Sequence, residues 1–141
     1  MELLGDYGNP GGRDAEVATV GAVYDAFARR DLEAVVALMD EDVELRLAGT
    51  QARLGRTEPY RGHAGVRQYL VDAAKTWDEL QVHPGHMRAA AGGVVVFGKV
   101  IACEDGERVS RRAVWTWRLR DGKVMSVRAD DLGESVPSPA G

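Results

Sequence analysis

The residues with most chemical capacity stand in the last third of the chain, in RRAVWTWRLRDGKVMSVRADD. Arg111, Trp115 and Trp117 lie an even number of residues apart, and so do Arg128 and Asp130, so each set shares one face of an extended strand. A carboxylate beside a guanidinium within an aromatic wall has the makings of a general acid or base. Asp130 is therefore the candidate catalytic residue, with Trp115, Trp117 and Arg128 as candidate substrate contacts. The competing structural reading, a satisfied or solvated Arg128–Asp130 ion pair, is the commoner outcome for such neighbours. For the two tryptophans the competing role is core or dimer-interface packing.

The other reactive side chains point to less. His63, His83 and His86 include no i, i+4 pair, so no metal-binding signature is present and no metal is expected. Cys103 is the single cysteine, which excludes an intramolecular disulfide and a cysteine-based zinc site; beside Ala102 it reads as a small buried hydrophobe. Any acid/base chemistry here is expected to need no cofactor.

Positioning these residues requires one core. A chain of 141 residues and 15.3 kDa, 45% hydrophobic and 28% charged, fits a single soluble globular domain. The formal charge of −4 and the lack of a long Lys/Arg cluster argue against nucleic acid as a partner. No apolar run is long enough to span a membrane and the start lacks a leader pattern, so a cytoplasmic protein is expected. Gly, Pro and Ser crowd both ends, which assigns residues 1–13 and 133–141 to flexible tails and 14–132 to the domain.

Within that domain Val17, Val20, Tyr24 and Phe27 recur at helical spacing after Asp14, a candidate N-cap. Asp31 is placed to cap a second helix carrying Leu32, Val35, Val36 and Met39. The period then changes to two at Val43, Leu45 and Leu47, a strand with one buried face. TQARLGRTEPYRG has no steady period and reads as a loop. Val66, Tyr69, Leu70, Ala73 and Trp77 form the stripe of a third helix, and Trp77 is expected to bury against the sheet. Strands follow, with a kink or bulge at Pro84-Gly85 and hairpins at Asp105-Gly106 and Asp121-Gly122.

Helices followed by a meander imply an α+β fold, a cone-shaped curved antiparallel sheet with three helices of the N-terminal half packed on its concave face. Straight helices cannot fill all the space against a twisted sheet, which leaves a pocket. Consecutive apolar residues at Val94–Phe97 and Val100–Cys103 leave apolar groups on the outer face as well, so a homodimer through that face is expected.

VYDAFARRDLEAVVALMDEDVEL, YRGHAGVRQYL and WTWRLRDGKVMSVRADD closely resemble the nuclear transport factor 2-like superfamily, and within it the SnoaL-like group of small bacterial proteins. The resemblance implies the cone fold and a small, largely apolar ligand, with isomerase, cyclase or hydrolase chemistry or a non-catalytic binding or dimerising role. The ketosteroid isomerase branch places a general-base Asp about where Leu47 stands, and leucine accepts no proton. That branch's Tyr on the first helix falls near Tyr24. A His used by SnoaL-like cyclases falls near Trp115, and their Asp at the end of the last strand falls within a residue or two of Asp130 and Asp131. Tyr24 and Leu47 thus join the candidate cavity residues.

Overall fold

A computed structural model describes residues 12–76, 78–104 and 106–134, so Trp77 and Asp105 lie outside the described residues, as do the expected tails 1–13 and 133–141 except for residues 12–13, which open the first helix, and 133–134, which close the last strand. The elements are α1 (Gly12–Ala28), α2 (Leu32–Ala37), β1 (Met39–Leu47), α3 (Ala48–Leu54), β2 (Tyr60–Arg61), α4 (Gly62–Thr76), β3 (Asp78–Ala90), β4 (Gly93–Glu104), β5 (Glu107–Arg120) and β6 (Lys123–Glu134). The expected α+β class is found, with a curved, unclosed six-stranded sheet in the order β2-β1-β6-β5-β4-β3. Strands β3 to β6 form the antiparallel meander, but β1 runs parallel to β6. That mixed pairing corrects the all-antiparallel expectation, because the chain crosses over between β1 and the meander.

Local chemistry accounts for the elements. The Asp31 carboxylate accepts from the Ala34 amide at 3.1 Å and starts α2, whose Val35 and Val36 are buried. Met39 opens β1 and is not part of α2. Val43, Leu45 and Leu47 turn inward on β1 while Arg46 is exposed. Asp121 and Gly122 both take positive φ, 52° and 77°, the backbone of a tight two-residue hairpin. Strand β3 continues through Pro84-Gly85 with a register shift, and a Cβ on the facing Gly98 would collide with the His83 carbonyl, so only glycine fits there.

The segment read as a loop contains α3, a fourth helix. Its buried residues are Thr50 and Gln51, so hydrophobic periodicity is silent about it. Gln51 does the positioning: its side-chain oxygen accepts from the Leu47 amide at 2.6 Å and its amide nitrogen donates to the Glu58 carbonyl at 3.0 Å. Gly55, at φ 67°, closes the helix in the left-handed conformation. His63, at the start of α4, is tied to β1, since its Nε2 lies 2.9 Å from the Met39 carbonyl oxygen. No helix among the described residues is long and apolar enough to cross a membrane.

Tyr60 pins α4 to this framework. Fully buried, it donates to Asp72 Oδ2 at 2.8 Å, with the Arg56 guanidinium 4.1 Å from its ring centroid. Burial first, and then the hydrogen bond to the Asp72 carboxylate, push its pKa from 10.0 up to about 12. A folded-state pKa above the unfolded one gives stability that is complete below pH 10 and is lost as pH rises through the folded value. Denaturant midpoints should therefore fall on the alkaline side, and Tyr60→Phe should remove part of that fall. A wild-type midpoint unchanged between neutral pH and pH 12 would contradict this.

Candidate functional site

Two adjoining cavities lie between the concave face of the sheet and the helices. The outer one, about 270 Å³, is lined by residues of β1, α3, α4, β3, β4, β5 and β6. The inner one, about 70 Å³, is walled by α1, α2, β1, α4, β3, β5 and β6. Leu47, Tyr69, Val82 and Trp115 belong to both walls and form the waist between them.

Strand register decides which side chains enter. Trp115 and Trp117, 6% and 5% exposed, stand opposite Ala129 and Val127, and all four face inward. Thr116 stands opposite Arg128 and Val114 opposite Asp130, so Arg128 and Asp130 do share one face, but it is the convex one. Arg128 is exposed and lines neither cavity; its Nε lies 3.1 and 3.0 Å from the two Asp130 carboxylate oxygens. Asp130 still borders the outer cavity at its rim, two residues before the bulge at Leu132 that interrupts the pairing of β6 with β5.

The carboxylate facing inward is Asp131, opposite Ala113. It pairs with Arg111 Nη1 at 3.3 Å, and both line the outer cavity. Ala113 and Trp115 share Arg111's face, as even spacing requires. The sequence left Asp130 and Asp131 unresolved because the bulge at Leu132 shifts the pairing by one residue just beyond them.

Tyr24 closes the inner cavity. Its ring meets Trp115 and Trp117 edge-on, with centroids 5.6 and 5.4 Å apart. Its hydroxyl oxygen accepts from Trp117 Nε1 at 3.2 Å, and among the described residues its own proton has no acceptor. Burial holds its pKa above the ordinary tyrosine value, so the group stays neutral. Tyr69, between the two cavities, is likewise raised by burial, opposed by a side-chain hydrogen bond with Thr50.

Sequence reading missed Thr50 and Arg53, which reach the outer cavity from α3; Tyr69, read first as part of the helix's core stripe, lines both cavities. The available signal was AGTQARL followed by Gly55, a run of good helix formers ended by a glycine. Cys103 is half-buried on the convex face, opposite Arg108. Among the described residues no group of His, Cys, Asp or Glu is placed to hold a metal ion.

Several solved structures share this architecture. An NTF2-like protein of unknown function from Burkholderia pseudomallei K96243 superposes with a TM-score of 0.75 at 23% identity, covering 83% of this chain and 90% of that one. TerC, co-crystallised with polyporic acid, gives 0.75 at 24% identity over 83% of this chain and 91% of its own. A provisionally named SnoaL-like polyketide cyclase from Jannaschia sp. CCS1 gives 0.74 at 15% identity over 90% and 92%. At such identities the likeness speaks for the fold alone. No curated protein sequence matches the chain. The family model for the SnoaL-like domain matches residues 20–127, from the middle of α1 into β6 and across both cavities, and the chain thus belongs to the SnoaL-like domain family.

Proposed function

We propose that this protein binds a small, largely apolar molecule in the cone, with the polar end of that molecule at the outer mouth. One observation carries the reading: a cavity of about 270 Å³ walled by Leu47, Leu80, Val82, Val100 and Trp115 keeps its charged groups together at the rim. Apolar walls with a few converging polar groups are the usual form of a ligand site. TerC's co-crystallisation with polyporic acid supports the view that this architecture accommodates such ligands. Tyr24, neutral and with a free donor proton, is suited to a ligand carbonyl or hydroxyl oxygen that reaches the inner cavity.

The chemistry open to the site is cofactor-free proton transfer of the isomerase, cyclase or hydrolase type. Asp130 and Asp131 are its candidate acid/base groups and Arg111 orients Asp131. A second reading, a non-catalytic binding module, is favoured by one feature: both carboxylates are already ion-paired, and the inner cavity holds none.

Calorimetric titration with 2-acetylnaphthalene, an apolar ring system bearing one carbonyl, tests the binding reading. Saturable binding to the wild type is expected, with loss in Leu47→Trp, whose larger side chain fills the waist while facing inward as leucine does. Binding that survives unchanged in a folded Leu47→Trp variant would place the ligand elsewhere and defeat the proposal.

We also propose a homodimer through the convex face of the sheet. Phe97, 47% exposed, stands opposite Val114 there, with Val95 and Ile101 on the same face of β4. Light scattering should report twice the 15.3 kDa chain mass at micromolar concentration, and Phe97→Arg should return it to the single-chain value. A monomeric wild type would end the idea.

A further inference from the structure

The strand register lays the convex face of the sheet out in rows, because cross-strand partners stand side by side on one face. His86, Phe97, Val114 and Asp130 form a middle row. On one side of it lie Arg88, Val95, Thr116, Arg128 and Arg46, and on the other His83, Lys99 and Arg112. Alternate residues of a strand are about 7 Å apart, so a row bearing cations runs about that far from Phe97 on either side. Carboxylates on this face are already held: Asp130 by Arg128 at 3.0 Å, and Glu44 by Arg46 and Arg61 at 3.0 and 2.8 Å. Among the described residues Arg88, Lys99 and Arg118 have no ion-pair partner, and neither does Arg112, whose Nη2 donates to the Leu132 carbonyl at 3.3 Å. Lys99 and Arg112 stand directly opposite each other, a like-charge pair that costs stability. The whole chain carries −4, so these cations are concentrated on one face of an acidic protein.

The homodimer proposed above brings two such faces together. Sheets packed face to face keep their strands within about 30° of each other and lie about 10 Å apart. A two-fold axis at Phe97 that runs along the strands sets each cationic row over the same row of the partner, and one that runs across them sets it over the other cationic row. Either way cations face cations. They come within about 10 Å, close to the screening length of physiological salt, and repel. The apolar residues around Phe97 draw the copies together while the flanking rows oppose them. Lysine and arginine are donors only, so an oxyanion lying between the rows replaces that repulsion by charge-assisted hydrogen bonds to both chains.

We propose that the dimer is closed by a small divalent oxyanion of the phosphate or sulfate class, held by Lys99 and Arg112 of one copy and by the cationic row of the partner that faces them. The site is incomplete in a single chain. The proposal rests on the dimer reading above and adds to it the ligand that controls assembly. An anion that binds the dimer and not the single chain tightens the apparent association as its concentration rises above its own Kd.

Sedimentation velocity on a dilution series of the full chain tests this, at neutral pH and matched ionic strength, with sodium chloride alone or with low-millimolar sodium phosphate or sodium sulfate added. The dimer dissociation constant should be about tenfold or more lower in phosphate and in sulfate than in chloride. The double variant Lys99→Gln, Arg112→Gln should lose that response and dimerise in chloride at least as tightly as the wild type does. Both side chains are exposed, so its denaturation midpoint should match the wild type and report that it is folded. Arg67→Gln, on α4 where Arg67 pairs with Glu33, should keep the full response. Equal dimerisation in chloride and phosphate overturns the anion site and leaves the dimer reading standing. A phosphate response that persists in the double variant also overturns the site, since it then reflects a general strengthening of apolar burial by such salts. A folded double variant that dimerises less tightly in chloride than the wild type overturns the repulsion on which the site rests. A single-chain mass in every salt, for the wild type and the double variant alike, overturns the dimer reading and the anion site with it.

Discussion

Trp115→Ala is expected to lower the unfolding free energy by about 3 to 5 kcal/mol, the range for truncating a large buried aromatic. Trp115 is 6% exposed, packs edge-on against Tyr24, and walls both cavities. Its removal merges two existing spaces into one. The surrounding side chains, fixed by β4, β5 and α1, have little freedom to collapse into the new void, which places the cost towards the upper part of that range. Trp115→Phe keeps a ring in place and should cost well under half as much. Urea denaturation of the three proteins measures both values. A loss below about 1 kcal/mol for the alanine variant would mean that the walls refill the void and that the cavity is not rigid.

The second large effect concerns turnover. Asp130→Asn should lower kcat by about 10²- to 10⁴-fold on a substrate that the wild type converts, the usual contribution of a positioned acid or base. Denaturation midpoint and affinity for 2-acetylnaphthalene should stay close to wild type, since the carboxylate sits at the rim beside Arg128 and not in the core. Asp131→Asn is the necessary companion, because Asp131 faces inward opposite Ala113 and pairs with Arg111. Full turnover in Asp130→Asn with loss in Asp131→Asn moves the acid/base role to the inward carboxylate. Full turnover in both removes carboxylate catalysis altogether.

Much of the fold was legible because its signals are local. The Asp31 cap, the alternation at Val43, Leu45 and Leu47, the Asp121-Gly122 hairpin and the shift at Pro84-Gly85 each depend on a few neighbouring residues. Helix α3 was not legible because it buries Thr50 and Gln51 and is held by Gln51 reaching Leu47 and Glu58, contacts that leave no apolar period.

The site divides in the same way. Even spacing put Trp115 and Trp117 on one face, and it also grouped Arg128 with Asp130; both groupings hold in the structure. A period of two, however, says which residues share a face and not which face is concave. The pairing of β6 with β5 decided that: Val127 and Ala129 lie opposite the tryptophans, so Arg128 turns outward and Asp131 inward, while Asp130 stays at the rim. The sequence by itself thus determined the family, the α+β class and the side chains available for chemistry, because propensity, capping and period act over short stretches of chain. Only the tertiary structure decided that α3 brings Arg53 and Thr50 into the same cavity lining as Arg111 and Asp131, because strand register and the packing of helices on a curved sheet are set between segments far apart in sequence.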